Sequence, residues 1–270
     1  MSKVRHTSSA SSTDQPKCKG RVLLVGSGPG DPDLLTVAAL QALQTADVVL
    51  YDTLVAAPIL DLIAEHAKRI HVGKKGYGDN RPQGEINTLM VDLAQSGHRV
   101  VRLKSGDPLI FGRAGEEIEA CREAEIPLQV IPGITAAQGA AARMSVSLTH
   151  RHEARRLQYI TGHDASGKLP TSIDWSVIAD PQATTVVYMP RVTISALVEK
   201  TSAAGMDPTT PAIVIVNATR DNERQYKTTM AHLAEAVAAA ETTDPMLVLI
   251  GQAMNRVDIQ DVTGLDVKLA

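Results

Sequence analysis

From Arg21 onward, short runs of β-branched and aliphatic residues alternate with longer segments of helical periodicity, and the connections between them are short. That rhythm of strand, helix and strand admits few architectures, chief among them a parallel sheet with helices packed on its faces. The predicted strands are residues 22–25, 47–51, 70–72, 98–103 and 128–131, and the predicted helices are residues 33–46, 57–67, 83–95 and 112–124. Ile86, Leu89, Met90 and Leu93 recur at three- and four-residue steps, the signature of an amphipathic helix. Five strands are used by Ile131, which completes one α/β domain over residues 21–132.

Pro132-Gly133 marks a change of regime. An Ala- and Gly-rich helix is predicted over 134–144, then strands at 157–161, 184–189, 212–217, 224–228 and 246–250, with helices at 194–204 and 230–240. Several of these strands are too close for a crossover helix, so a mixed sheet with antiparallel pairs is expected in a second α/β domain, residues 133–270. Residues 1–20 are Ser-rich, lack apolar periodicity and the hydrophobic core of a secretory signal, and are expected to form a disordered tail.

Composition narrows the function classes. Aromatic residues make up 3% of the chain, so the core is aliphatic and the stacking platforms of single-stranded nucleic-acid binders are missing. A net charge of −3 gives no overall attraction for nucleic acid or anionic lipid. Cys18 and Cys121 do not make a disulfide framework, which points to a reducing cytoplasm. No C-x-x-C or His-Glu-x-x-His motif suggests a metal, and no apolar run reaches the ~18 residues of a membrane span.

Two stretches carry chemistry. Residues 22–36, VLLVGSGPGDPDLLT, place a glycine-rich turn between strand and helix, but G-x-G-x-G with Pro29 inside is not the G-x-G-x-x-G of a dinucleotide loop. Asp31 as N-cap, Pro32 and Asp33 would satisfy the positive end of the following helix and repel a pyrophosphate there. A cationic ligand without phosphate, such as S-adenosylmethionine, fits that loop better. Asp52, after the second strand, stands near the ribose-binding acid of a dinucleotide fold and supports the contrary reading. The second stretch, 100–117, VVRLKSGDPLIFGRAGEE, runs from strand through a Ser-Gly-Asp-Pro turn to an acidic helix start, the place where an α/β sheet holds a ligand.

The motifs VGSGPGDPDLLT, YDTLV, VGKKG, VVRLKSGDPLIFGR, IPGITAA, LTHR and TGH, in this order over residues 21–255, closely resemble those of the tetrapyrrole methylases. The first block alone marks only the wider superfamily, which includes diphthine synthase and an rRNA ribose methylase; RLKSGDPLIFGR, VGKKG and LTHR narrow it to the uroporphyrinogen III branch. The resemblance implies two α/β domains with the methyl donor in the cleft between them, and a homodimer. It implies transfer from two S-adenosylmethionine molecules to C2 and C7 of uroporphyrinogen III, giving precorrin-2 for sirohaem or cobalamin, with S-adenosylhomocysteine as the other product. By motif, Pro29, Ser105, Gly106, Asp107, Ile110, Thr135, Ala136, Met189, Ala218 and Met246 are expected at the donor. Asp52 is implied as proton acceptor and Lys74 as proton donor. Ser105 replaces a common glycine, Pro190 follows Met189 where a small residue is usual, and Ser147 stands where a proline often precedes LTHR.

The substrate's eight carboxylates call for cations, and Arg102, Lys104, Arg113 and Arg151 flank the motifs, as do Arg143, Arg155 and Arg156. Because the chain ends soon after its last predicted strand, no module for dehydrogenation or iron insertion is expected on it. Two alternatives stand beside the main one: a methylase acting elsewhere on a corrin ring, and an NAD(P)-dependent oxidoreductase using Gly26–Gly30 and Asp52.

Overall fold

A computed structural model describes residues 20–73, 82–164 and 166–257. The first sheet contains β1 (Arg21–Gly26), β2 (Val48–Tyr51), β3 (Lys68–His71), β4 (Arg99–Lys104) and β5 (Leu128–Ile131), in the order β3-β2-β4-β1-β5 and all parallel. Its helices are α1 (Val37–Thr45), the single turn α2 (Ala57–Leu60), α3 (Gln83–Gln95) and α4 (Ala114–Glu123). Both faces are covered. Leu23, Val25, Val49, Val101 and Leu103 pack with Ala39 and Leu43 of α1, while Val22, Leu50 and Val100 pack with Ile86, Met90 and Cys121 of α3 and α4. Strand alternation makes this two-sided burial read as continuous apolar runs.

The chain then passes through α5 (Ala136–Arg143) into β6 (Arg156–Thr161), α6 (Trp175–Ile178), β7 (Ala183–Tyr188), α7 (Ile194–Ala203), β8 (Pro211–Val216), β9 (Arg224–Thr229), α8 (Leu233–Ala239) and β10 (Met246–Ile250). This sheet is mixed, in the order β6-β7-β10-β8-β9: β6 and β7 are parallel, and β10 runs antiparallel to both β7 and β8, as β9 does to β8. The two-domain α/β architecture is the expected one.

Two helices are shorter than predicted. The segment over 33–46 is split: Asp31 caps a single 3-10 turn, Pro32–Leu34, and α1 starts only after Thr36, whose hydroxyl accepts from Ala39 N. The two carboxylates therefore sit on their own turn rather than at the α1 terminus, where the Thr36 hydroxyl caps one free amide. Likewise α2 stops after Leu60, and the chain from Asp61 to Ala67 runs as turns.

Candidate active site

All five parallel strands end on one edge, where an open α/β sheet holds its ligands. The loops there are Ser27–Gly30 after β1, Asp52–Leu54 after β2, Ser105–Gly112 after β4 and Pro132–Thr135 after β5. Glycines bring three of them into contact. A Cβ on Gly26 would fall 2.6 Å from Gly106 O and from Gly133 N, and one on Gly133 would fall 2.3 Å from Gly106 O. Gly28 and Gly106 exchange backbone hydrogen bonds of 3.2 and 2.8 Å. The Asp107 carboxylate completes the join, accepting from Leu109 N at 2.8 Å and from Gly133 N at 3.0 Å. Both of its oxygens are thus engaged by the backbone, and the side chain fixes the loops to one another.

The second domain closes over this edge. Thr219 Oγ1 accepts from Asp31 N at 3.1 Å, Arg220 Nη2 donates to Leu54 O at 2.6 Å, and Arg143 Nη2 donates to Thr219 O at 3.1 Å. The Arg220 stem lies where a Cβ on Gly30 would be, and Pro29 and Thr219 both crowd Gly139 of α5. Phe111, Tyr188 and Tyr159 form a chain of tilted rings with centroids 5.3 and 5.7 Å apart, joining the loop after β4 to β7 and β6. Burial pushes the Tyr188 hydroxyl up from its ordinary pKa. That hydroxyl accepts from Ala137 N at 3.3 Å, and Thr135 caps α5 in a reciprocal capping box with Gln138. Met189, Asn217 and Thr219, at the ends of β7 and β8, have φ of 56°, 54° and 66°, and Phe111 and Arg113 have 51° and 58°. Left-handed backbone at non-glycine residues is costly and gathers at functional sites.

Pro29, Ser105, Gly106, Asp107, Thr135 and Ala136 therefore meet in one cradle, with Ala218 and Tyr188 packed against Ala136 and Ala137 in one apolar cluster. Ile110 lies in the same loop as Asp107, and Met189 stands at the lip, 41% exposed. Met246 departs from expectation. Strand alternation turns its side chain to the opposite face of the second sheet, among Val216, Leu197 and Met230, so only its backbone reaches this edge.

The basic residues divide. Arg102 and Lys104, expected to meet substrate acids, are instead 2% and 4% exposed. They point from β4 toward α3 and α4, where Glu117 is fully buried. Arg102 Nε donates to Glu117 Oε1 at 2.8 Å, and its Nη2 donates to Asp52 Oδ1 at 2.7 Å. Lys104 Nζ lies 3.0 Å from each Glu117 oxygen, aligned for a hydrogen bond to Oε1 only, and Gln83 Nε2 adds a bond of 3.2 Å. Burial pulls Arg102 toward neutrality, but the Asp52 and Glu117 charges outweigh it and its pKa ends above the ordinary value. Burial, together with the Arg102 charge, pulls Lys104 below its own. These two cations are spent internally. Arg113 and Arg151 are exposed; Arg113 forms a two-bond pair with Glu116 at 2.8 Å and begins α4. Arg143 and Arg155 are bound to backbone carbonyls, and Arg156 pairs with Asp180. Lys74 lies outside the described residues.

Glu117, Tyr188, Thr219 and Arg220 also line this edge or its supports, though none was among the residues expected at the site. Glu117 was signalled, because it shares the apolar stripe Ala114–Glu117–Cys121 of its helix, and two cations alternate on a strand buried on both faces. An acid was needed there.

Residues 21–234 match the family model described as Tetrapyrrole (Corrin/Porphyrin) Methylases. The chain belongs to this family, whose members are methyltransferases that use S-adenosylmethionine. Among its relatives, a sirohaem synthase of Ectopseudomonas mendocina is 46% identical over 88% of this chain and 51% of its own length. One from Pseudomonas fluorescens is 48% identical over 87% of this chain and 50% of its own. The chain thus spans about half the length of the curated relatives it matches. A uroporphyrin-III C-methyl transferase from Thermus thermophilus, solved with S-adenyl homocysteine, superposes with a TM-score of 0.75 at 35% identity, covering 87% of this chain and 99% of that one. A cobalt precorrin-4 methyltransferase of cobalamin biosynthesis superposes at 0.77 with 26% identity, covering 87% and 95%.

Proposed function

We propose that this protein methylates uroporphyrinogen III at C2 and C7, using two molecules of S-adenosylmethionine in turn and yielding precorrin-2. The observation that carries the donor half is the three-glycine cradle of Gly26, Gly106 and Gly133. It lets the loops after β1, β4 and β5 close directly on one another and so builds the floor of the pocket, while Asp31 and Asp33 beside it oppose a phosphate. The fit is chemical as well: the cradle offers backbone groups, the Thr135 hydroxyl and apolar walls to a thioether, an adenosine and an amino acid end. When bound, the donor supplies an electrophilic methyl and its own leaving group.

The protein's work is then alignment, exclusion of water and removal of a ring proton. Phe111 and Tyr188 close the cleft across the two domains, and Leu109 and Met189 give it an apolar lip. Asp52, with its side chain 28% exposed, is the carboxylate at this edge suited to accept the proton, and Lys74 is its proposed counterpart as proton donor. Arg113 and Arg151 are the proposed partners of the substrate's carboxylates. The oxidoreductase reading loses its ground, because the chain belongs to a family of methyltransferases.

We place the product at the branch toward sirohaem and cobalamin, and propose a cytoplasmic homodimer with no nucleic-acid or membrane partner. Among the described residues no helix is long and apolar enough to cross a membrane. Anaerobic incubation of the purified protein with uroporphyrinogen III and donor should give a product heavier by two methyl groups. Turnover confined to a cobalt-containing or already methylated corrin ring would instead favour the other branch of the family. Protection from thermal unfolding by S-adenosylhomocysteine, and none by NAD(P), separates both from an oxidoreductase.

A further inference from the structure

We propose that Glu117 and Arg102 are a positioning pair for Asp52: Glu117 fixes the Arg102 guanidinium, and Arg102 holds Asp52 Oδ1 so that Oδ2 is presented to the substrate. This rests on the reading of Asp52 as the proton acceptor. The geometry is one continuous chain. Leu50 of β2 and Arg102 of β4 are register partners, which places Asp52 two residues on, above the Arg102 side chain. The guanidinium spends Nε on Glu117, Nη2 on Asp52 and Nη1 on Leu103 O at 3.3 Å. A planar fork with three partners has no rotational freedom left, so it orients whatever it holds.

Side-chain exposure rises along the chain from 0% at Glu117 through 2% at Arg102 to 28% at Asp52. The network is anchored in the interior and opens only at the carboxylate. Among the described residues Oδ2 of Asp52 accepts no hydrogen bond. Charge points the same way. Two cations, Arg102 and Lys104, meet two carboxylates, Glu117 and Asp52, and Glu117 contacts both cations. Without its charge, Lys104 and Arg102 would have only Asp52 to turn to, and the acceptor oxygen would be taken up as an ion-pair partner.

The test is a double-mutant cycle on the full chain with uroporphyrinogen III, reading kcat, KM and S-adenosylhomocysteine affinity. Glu117→Gln should lower kcat about tenfold, within the range of coupled contacting groups, with donor affinity changed less than twofold. In an Asp52→Asn background the same change should alter the residual kcat less than twofold. Equal losses in both backgrounds would mean the pair serves stability alone and overturn the positioning role. Near-normal turnover of Asp52→Asn itself would instead overturn the acceptor reading on which it rests. Arg102→Lys, which keeps a cation in the network, is the second variant should Glu117→Gln fold poorly. It should reproduce the loss of kcat at unchanged donor affinity, because an ammonium cannot hold both carboxylates at a fixed angle.

Discussion

Gly133 N lies 3.0 Å from Asp107 Oδ2, and this bond fastens the loop after β4 to the loop after β5 at the point where the chain leaves its first domain. Asp107→Ala removes the acceptor for two backbone amides, at a cost of about 1–3 kcal/mol for the partly buried Gly133 amide, while water takes over at the exposed Leu109 amide. The expected result is a lower melting temperature and weaker S-adenosylhomocysteine binding by calorimetry. Unchanged affinity would show that the two loops hold their places without the carboxylate.

Gly133 and Gly106 touch each other but should not respond alike. A methyl on Gly133 meets Gly106 O and the Gly26 backbone, so Gly133→Ala should push two loops apart and weaken donor binding by at least about tenfold. Gly106 has φ of 68° and open space around its Cβ position. Gly106→Ala should therefore cost only the left-handed strain of about 1–2 kcal/mol, visible in denaturant midpoint more than in affinity.

Asp52→Asn keeps the size of the side chain and its bond to Arg102 while removing a proton acceptor. Turnover should fall by about 100-fold or more, with donor affinity nearly unchanged. A variant that mainly weakens donor binding would remove Asp52 from acid–base chemistry. Steady-state rates beside calorimetric titration decide it.

Of the four cations expected to meet the substrate, Arg113 and Arg151 stay exposed, and Arg113 stands in the loop between β4 and α4. Arg113→Met should raise KM for uroporphyrinogen III severalfold while leaving the binding of S-adenosylhomocysteine unaltered. The same loss should be produced in the wild type by added salt, which screens exposed charge pairs.

Cys121 is buried on the inner face of α4, and burial, with the Glu117 charge nearby, pushes its thiol up to about 11 from 9.0. The folded state thus keeps a proton that the unfolded chain releases first. Its contribution to stability is intact below pH 9 and is lost as pH rises toward 11. Mass mapping after brief alkylation at pH 8 should find Cys121 unmodified until denaturant is added.

Much of the fold was legible because a parallel sheet buried on both faces leaves an unbroken apolar trace. Leu128–Ile131, Gln83–Gln95 and Met246–Ile250 fall where periodicity placed them. The misread helix over 33–46 shows the limit: Asp31 and Thr36 are both good caps, and local chemistry does not say that each caps a separate element. In the site, the motifs mark loops that meet at one sheet edge, but not the direction of side chains within strands. Arg102 and Lys104 flank the loop in sequence yet alternate inward. Met246 begins a strand at the edge, but its parity sends it to the far face. The Thr219 and Arg220 contacts were hidden for another reason, since the bonds to Asp31 and Leu54 span 188 and 166 residues of sequence and depend on how the two sheets are set against each other.

Those two bonds also limit how the molecule can move. The domains are joined covalently at Pro132–Thr135 and again, non-covalently, where Thr219 and Arg220 grip the loops after β1 and β2. Two tethers define an axis. A rotation about that line would spare both and part Phe111 from Tyr188, while the glycine cradle would stay assembled. The proposed use of two donors in succession would then exchange the spent nucleoside without dismantling the pocket that receives the next.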